Sequence, residues 1–130
     1  MKRSILFLAV LTLLCATAAI GYGQSSVKMN EIFTRGATGN LDWIEIYNGA
    51  ATQVDVSGYK IYDNGGQSGA KSKKQFPAGT ILPAKGFYAI VTDTATFVGD
   101  TSGFGLSSGG ETVWLENASG TLIDTLVIPA

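Results

Sequence analysis

The fold is decided by the stretch Asn40-Leu41-Asp42-Trp43-Ile44-Glu45-Ile46-Tyr47-Asn48. Its side chains alternate strictly along the chain, which is the pattern of a β-strand with one buried face. Because Glu45 should face water, Ile44 and Ile46 should face the core, and Trp43 and Tyr47 should point outward. The sequence therefore predicts a half-buried strand here, around which the rest of the domain is built.

Short segments of the same kind lie on both sides of this strand, separated by turn signals rich in Gly, Asn, Ser and Pro. About seven or eight strands at this spacing indicate an all-β protein of the β-sandwich class. Outside residues 40–48, the clearest predicted strands are 27–33, 54–62, 87–92, 111–116 and 121–128.

The same alternation assigns the faces of two further strands. The inward side chains are Tyr59 and Ile61 in 54–62 and Val113 and Leu115 in 111–116, whereas Lys60, Tyr62 and Trp114 point outward. Residues 87–92 form a dense β-branched and aromatic run, which predicts an interior strand. Pro77 and Pro83 cannot donate ladder hydrogen bonds, so the segment between them belongs at an edge or corner.

Three connections carry specific turn signals. Asn64-Gly65 favours a turn with positive φ. Asp93 is placed to cap one helical turn over residues 93–97. The sequence of residues 117–120 predicts a hairpin turn.

The N-terminus has the form of an export signal. Lys2 and Arg3 precede a short apolar run, and Ala16-Thr17-Ala18 has the small-x-small form that signal peptidase prefers. We predict a signal peptide over residues 1–23, with the mature chain beginning between Ala19 and Gln24. The domain then spans 24–130, and the protein is secreted, periplasmic or held at the cell surface.

Two alternatives to cleavage and release remain open. One is a retained membrane anchor, although the apolar run is short for a span. The other is lipid attachment at Cys15, although Leu14 stands where bacterial lipoprotein signals carry a small residue.

The composition excludes several functional classes. The chain has nine basic and ten acidic residues, and removing Lys2 and Arg3 with the leader leaves seven basic residues against ten acidic ones, a net charge of −3. This balance gives no electrostatic footprint for nucleic acid, and no membrane span is expected after signal cleavage. With one cysteine and no histidine, the chain cannot form a Ser-His-Asp triad or the usual zinc sites.

An ordered set of segments resembles the lamin tail domain family across the whole mature chain. The segments are residues 27–32, 42–48, 54–59, 76–80, 82–86, 105–115 and 119–124. The resemblance is to the bacterial secreted branch, and it implies an immunoglobulin-like β-sandwich with no catalytic residues and an accessory or binding role. The heptad-repeat rod of nuclear lamins is missing from this sequence, so filament assembly is not implied.

Two groups of acidic and polar residues were weighed as chemical sites. Oxygen ligands from Asp63, Asn64, Asp93 and Asp100 would suit calcium if their loops converged, but ordinary turn chemistry explains these residues better. Glu31 and Glu45 would form a carboxylate pair if their strands were neighbours, although solvated strand residues are the simpler interpretation.

The outward aromatic side chains Trp43, Tyr47 and Trp114 are the candidate binding residues. Exposed large aromatics mark recognition surfaces, and Glu45 and Glu116 would supply a polar rim. The alternative is that sheet twist and neighbouring loops cover these rings.

The sequence thus predicts a non-catalytic interaction module, with no cofactor and no metal. Its partner is an unknown protein or a surface glycan. Two alternatives are a carbohydrate-binding or adhesin-like surface module and an accessory domain fragment of a secreted hydrolase or nuclease.

Overall fold

The computed structural model describes residues 25–34, 41–92, 103–107 and 109–130. The leader, Cys15 and the predicted cleavage region lie outside the described residues, and so does the helical turn predicted at Asp93. The described elements, in chain order, are β1 (Val27–Phe33), β2 (Trp43–Asn48), β3 (Val54–Asp55), β4 (Lys60–Tyr62), α1 (Asn64–Ser68), β5 (Lys74–Gln75), β6 (Ile81–Leu82), β7 (Phe87–Val91), β8 (Glu111–Glu116) and β9 (Leu122–Ile128).

The described strands form three antiparallel sheets. One has the order β1-β2-β7, a second has the order β5-β4-β8-β9, and β3 pairs with β6 in a two-stranded sheet. Inward side chains from both larger sheets belong to one cluster of buried residues, so these sheets are the two layers of a sandwich. The predicted all-β fold is confirmed.

The strand that organises the fold lies at the centre of the three-stranded sheet. Ile44 and Ile46 of β2 are 0% exposed, as the alternation predicted. On the other sheet, Ile61, Val113 and Leu115 are equally buried. These residues are inward-facing because each alternates with a polar or aromatic residue on the solvent side.

The single strand predicted over residues 54–62 was wrong, because the structure divides it into β3 and β4. Gly58 adopts a φ of 75°, a left-handed conformation that only glycine takes readily. Just before it, the Asp55 carboxylate accepts a hydrogen bond from the Ser57 amide at 2.8 Å, which closes a local turn. Before the turn, β3 pairs with β6, and after the turn β4 pairs with β8 in a different sheet.

The prediction of an interior strand over residues 87–92 was also wrong. In the described structure β7 pairs with β2 and forms one edge of its sheet. Its apolar run arises because Ile90 enters the core while Phe87 and Val91 lie on the outer face. The segment between Pro77 and Pro83 lies at a sheet edge, as predicted, since its only strand is β6 in the two-stranded sheet.

Residues after β4 form the short helix α1 and not a turn with positive φ. Asp63 caps it by accepting a hydrogen bond from the Gly66 amide at 2.9 Å. A Cβ atom at Gly66 would lie 2.5 Å from the Cβ of Tyr62, so only glycine lets the helix pack this closely on the sheet. The helix therefore covers part of the outer face of β4.

Asn48, the last residue of β2, is a buried hydrogen-bonding centre. It is 0% exposed. Its side-chain amide donates to the carbonyl oxygens of Thr52 (2.8 Å), Leu82 (3.3 Å) and Pro83 (2.9 Å), and its Oδ1 accepts from the Ala50 amide at 2.9 Å. One side chain thus joins β2, the following loop and the end of β6.

A side-chain hydrogen bond links the two sheets where their edge strands β1 and β9 meet. The Met29 amide donates to Oδ2 of Asp124 at 2.8 Å. Asp124 is the register partner of the inward-facing Leu115, so its carboxylate is directed between the sheets. The hairpin turn predicted at residues 117–120 connects β8 to β9, as expected.

Candidate functional site

The outward side chains of β2 lie on the solvent side of the three-stranded sheet. Trp43, Glu45 and Tyr47 are each half-buried, in alternation with the buried isoleucines. Antiparallel register partners share a face, so the pairing identifies their neighbours. From β1 to β7 this face carries three rows, namely Phe33–Trp43–Val91, Glu31–Glu45–Ala89 and Lys28–Tyr47–Phe87. We call these nine residues the aromatic face.

Two aromatic pairs occupy the outer rows of the aromatic face. The rings of Phe33 and Trp43 are stacked, with centroids 6.0 Å apart and planes 14° apart. The rings of Tyr47 and Phe87 lie 4.7 Å apart at 32°. Phe33 is 39% exposed and Phe87 is 54% exposed, so the pairs present apolar surface to solvent. The Lys28 ammonium lies 5.9 Å from the Tyr47 ring centre.

The middle row of the aromatic face is acidic. Glu31 and Glu45 are register partners, because a β-bulge at Asn30 shifts the pairing by one residue. The bulge directs the Asn30 side chain toward Glu45. The Asn30 side-chain amide donates a hydrogen bond to Oε1 of Glu45 at 2.8 Å. Glu31 and Glu45, a candidate carboxylate pair from the sequence, are therefore neighbours across β1 and β2 on an open sheet surface.

Trp114 lies on the other layer of the sandwich. It is half-buried on the outer side of β8 and stacks on Tyr62, with centroids 5.8 Å apart and planes 12° apart. Because the inner faces of both sheets share one core, the outer faces point in opposite directions. The structure therefore brings Trp43 and Tyr47 onto one surface and places Trp114 on another.

Glu116 does not border Trp114 as a free polar rim, contrary to the prediction. It is 6% exposed, and its carboxylate accepts hydrogen bonds from Lys73 (2.8 Å), Tyr62 (3.0 Å) and Lys60 (3.1 Å). The Lys73 ammonium also lies 3.9 Å from the Tyr62 ring centre. The Lys73 side chain, just before β5, thus lies over the outer face of the four-stranded sheet and helps to bury this cluster.

The partners of Glu116 set its protonation. Burial alone would raise the pKa of Glu116, but hydrogen bonds from Lys73, Lys60 and Tyr62 outweigh it and hold the pKa below the ordinary 4.5. The hydrogen bond to Glu116 in turn raises the pKa of Lys73 above 10.5. Burial, followed by the bond to Glu116, raises the pKa of Tyr62 above 10.0. Glu116 is therefore ionised at neutral pH.

We expect Glu116→Gln to destabilise the protein at neutral pH and to lose this effect in acid. A carboxyl group with a lowered pKa in the folded state stabilises the fold above its unfolded pKa of 4.5, and this contribution disappears as the pH falls through the lower folded value. Urea melts of wild type and variant between about pH 7 and pH 3 should show the stability gap closing below about pH 4.5.

Glu111→Gln is the matched control for this pH dependence. Burial raises the pKa of Glu111, so the ionised form is the unfavourable one in the folded state. The free energy of unfolding of wild type, relative to that of Glu111→Gln, should therefore rise as the pH falls, which is the opposite direction to Glu116→Gln. A gap for Glu116→Gln that stays constant from neutral to acid pH would contradict the assignment.

The other candidate ligand and reaction groups have structural roles or lie outside the described residues. Asp63 caps α1, and its Oδ2 lies 3.5 Å from the Lys71 ammonium. Asp93 and Asp100 fall outside the described residues. Among the residues that the structure describes, no group of three or more acidic, His or Cys side chains is placed to hold a metal ion.

A shallow apolar groove of about 270 Å³ lies between the ends of β1 and β9. It is lined by Ile32, Thr34, Leu126, Val127, Ile128 and Pro129. None of these side chains is titratable, so the lining supplies no acid or base, and no base to activate the Thr34 hydroxyl. Within the described ranges, the chain has no helix that is long and apolar enough to cross a membrane.

Sequence reasoning missed two of the four aromatic rings on the aromatic face. Phe33 and Phe87 join Trp43 and Tyr47 only through strand pairing, which the one-dimensional pattern does not give. A signal was present in β7, where both alternating sets of side chains are apolar. Such a strand needs cover on both faces or leaves one apolar face exposed.

A family model described as Lamin Tail Domain matches residues 22–129, a range that includes every strand described above. No curated protein is matched by the chain.

Proposed function

Because this chain belongs to the lamin tail domain family, we propose that it is a secreted or cell-surface binding module that performs no chemistry. The family is one of immunoglobulin-like interaction modules, and the nine-stranded architecture of the described residues is of that class. The resemblance drawn from the ordered sequence segments is thus confirmed at the level of family and fold.

The observation that carries the proposal is the aromatic face. Two ring pairs, Phe33 with Trp43 and Tyr47 with Phe87, lie on one open sheet surface without a covering element among the described residues. Aromatic side chains contribute large contact areas at low entropic cost, so clusters of this kind dominate the binding energy of interfaces. We assign ligand contact to this face and not to Trp114.

The chemistry of the chain supports a role without catalysis. The sequence contains no histidine, so the common nucleophile and base pairs are missing. Glu31 and Glu45 are paired, but they lie on an exposed strand pair and not in a cleft that excludes water. Carboxylate catalysis depends on such a cleft, so this pair favours recognition over reaction.

Export is proposed from the leader. Lys2 and Arg3 followed by the apolar run and Ala16-Thr17-Ala18 favour secretion through a cleaved signal peptide. Retention at the membrane through the apolar run, or lipidation at Cys15, would keep the same binding module at the cell surface. The bacterial secreted branch of the family is the proposed origin of the chain on the same ground.

Trp43→Ala should weaken binding of the ligand by about tenfold or more, because it removes a ring from the centre strand of the aromatic face. Trp114→Ala is the matched control, since it removes the same side chain from the opposite layer and should leave affinity unchanged. A glycan array and a displayed peptide library, each screened with wild type and both variants, supply the measurement. Circular dichroism confirms that both variants remain folded.

If binding is lost with Trp114→Ala and kept with Trp43→Ala, the contact surface lies on the four-stranded sheet. That result would remove the aromatic face from the proposal.

A further inference from the structure

We infer that the aromatic face binds an extended, positively charged segment of another protein. This inference rests on the proposed function and names the chemistry of the partner. It places a Lys or Arg side chain of the partner against Glu31 and Glu45, with apolar side chains of the same segment against the two aromatic pairs.

The acidic row supplies the charge complementarity. Like charges directly opposite one another in a sheet are destabilising, and Glu31 and Glu45 are register partners on one face. Asn30 offsets part of this cost by donating to Glu45. Neither glutamate belongs to an ion pair among the described residues. A cation brought by the partner would therefore relieve a repulsion that the isolated sheet retains.

The arrangement of the rows sets the spacing of the partner. Trp43, Glu45 and Tyr47 follow one another at every second residue of β2, which separates neighbours by about 6.6 Å. An extended polypeptide places its own same-face side chains at that interval. The face is therefore matched by a segment in which a basic residue has an apolar residue two positions before it and another two positions after it.

The ring geometry favours a polypeptide over a glycan. Sugars stack on exposed ring faces, but Phe33 and Trp43 stack on each other with planes 14° apart. The Tyr47 ring has Phe87 at 4.7 Å and the Lys28 ammonium at 5.9 Å. Trp43 and Tyr47, on the central strand, have register neighbours on both sides, so the faces of these two rings are directed at neighbours within the sheet and their edges are left for apolar side chains.

The charge pattern also disfavours a second copy of this chain. A two-fold axis through the centre of the aromatic face would bring Glu31 and Glu45 of one copy against the same residues of the other. Such an interface buries like charges against each other without a counter-charge, which is strongly unfavourable. The charge pattern therefore points to a different, cationic protein.

Selection from a phage-displayed library of random dodecapeptides tests the inference, with the protein purified after expression of the full sequence as bait. We expect the enriched peptides to carry a Lys or Arg, with one apolar residue two positions before it and another two positions after it. Their affinity should fall about tenfold for Glu45→Gln, whose side-chain oxygen still accepts the bond from Asn30, and further when Glu31→Gln is added. Glu111→Gln removes the same charge from the other sheet and should leave affinity unchanged.

Other outcomes overturn the inference in distinguishable ways. Enriched peptides that lack basic residues, and that lose affinity with Trp43→Ala but not with Glu45→Gln, would refute the cationic partner and leave the proposed function standing. The same holds for glycans that bind in a Trp43-dependent manner, or for self-association that Trp43→Ala abolishes. Failure of any peptide or glycan to distinguish wild type from Trp43→Ala would refute both the inference and the assigned binding face.

Discussion

Replacement of Asn48 with aspartate is expected to lower the free energy of unfolding by about 3–5 kcal/mol. The substitution exchanges an amide nitrogen for an oxygen with almost no change in size. That nitrogen donates to the carbonyl oxygens of Thr52, Leu82 and Pro83. A carboxylate at the same place donates nothing and repels all three carbonyls in a fully buried site, so the fold must protonate it or move it.

Asn117→Asp is the matched control for this experiment. The Asn117 side chain accepts its hydrogen bonds through Oδ1, from the amides of Ser119 (3.0 Å) and Thr121 (2.9 Å) and from the Ser119 hydroxyl (2.7 Å). A carboxylate accepts the same bonds, so the cost should stay within about 0.5 kcal/mol. Urea unfolding at neutral pH measures both variants. Equal costs for the two would mean that Asn48 does not hold the loop through its donor group.

Ile44→Ala is expected to cost about 2–5 kcal/mol, because it leaves a cavity at the centre of the core. Ile44 lies on the central strand of its sheet and is 0% exposed. The matched control is Ile81→Ala, which removes the same atoms from a side chain that is 43% exposed and should cost about 1 kcal/mol or less. Urea melts again give the comparison, and a reversal of the two magnitudes would place the wrong face of β2 in the core.

The layers of the sandwich were predictable from the sequence where alternation is strict. Ile44 and Ile46 in β2, and Val113 and Leu115 in β8, were placed inward correctly because each is flanked by residues that belong outside. This signal is local, since a strand repeats every two residues. It shows on which side of its own strand each side chain lies, but it does not show which strand lies next to it in the sheet.

The composition of the candidate site depends on strand pairing, which is not local. Trp43 and Trp114 are both outward, yet pairing places them on different sheets. The same limit hid Phe33 and Phe87 as members of the aromatic face. A sequence pattern assigns each ring to a side of its own strand, and only the sheet order shows which rings meet.

Other features escaped prediction because they depend on single tertiary contacts. Glu116 was expected at the surface, but Lys73 reaches it from 43 residues away and closes over it. Asn48 ends the predicted strand, but the pattern does not show that its amide reaches the following loop and the end of β6. The break at Gly58 was readable in principle, because a glycine after Asp55-Val56-Ser57 is a common turn signal.

The hydrogen bond from Met29 to Asp124 joins residues 95 positions apart. The first and last strands of the domain therefore meet, and Val27 and Ile128 contribute to the same core. Contacts between such distant segments raise the contact order, and chains of high contact order fold slowly, since a long loop must close before the contact forms. During synthesis the sandwich cannot close until β9 has left the ribosome. Until then the contact between β1 and β9 cannot form, so the two layers are joined along this edge only late in synthesis.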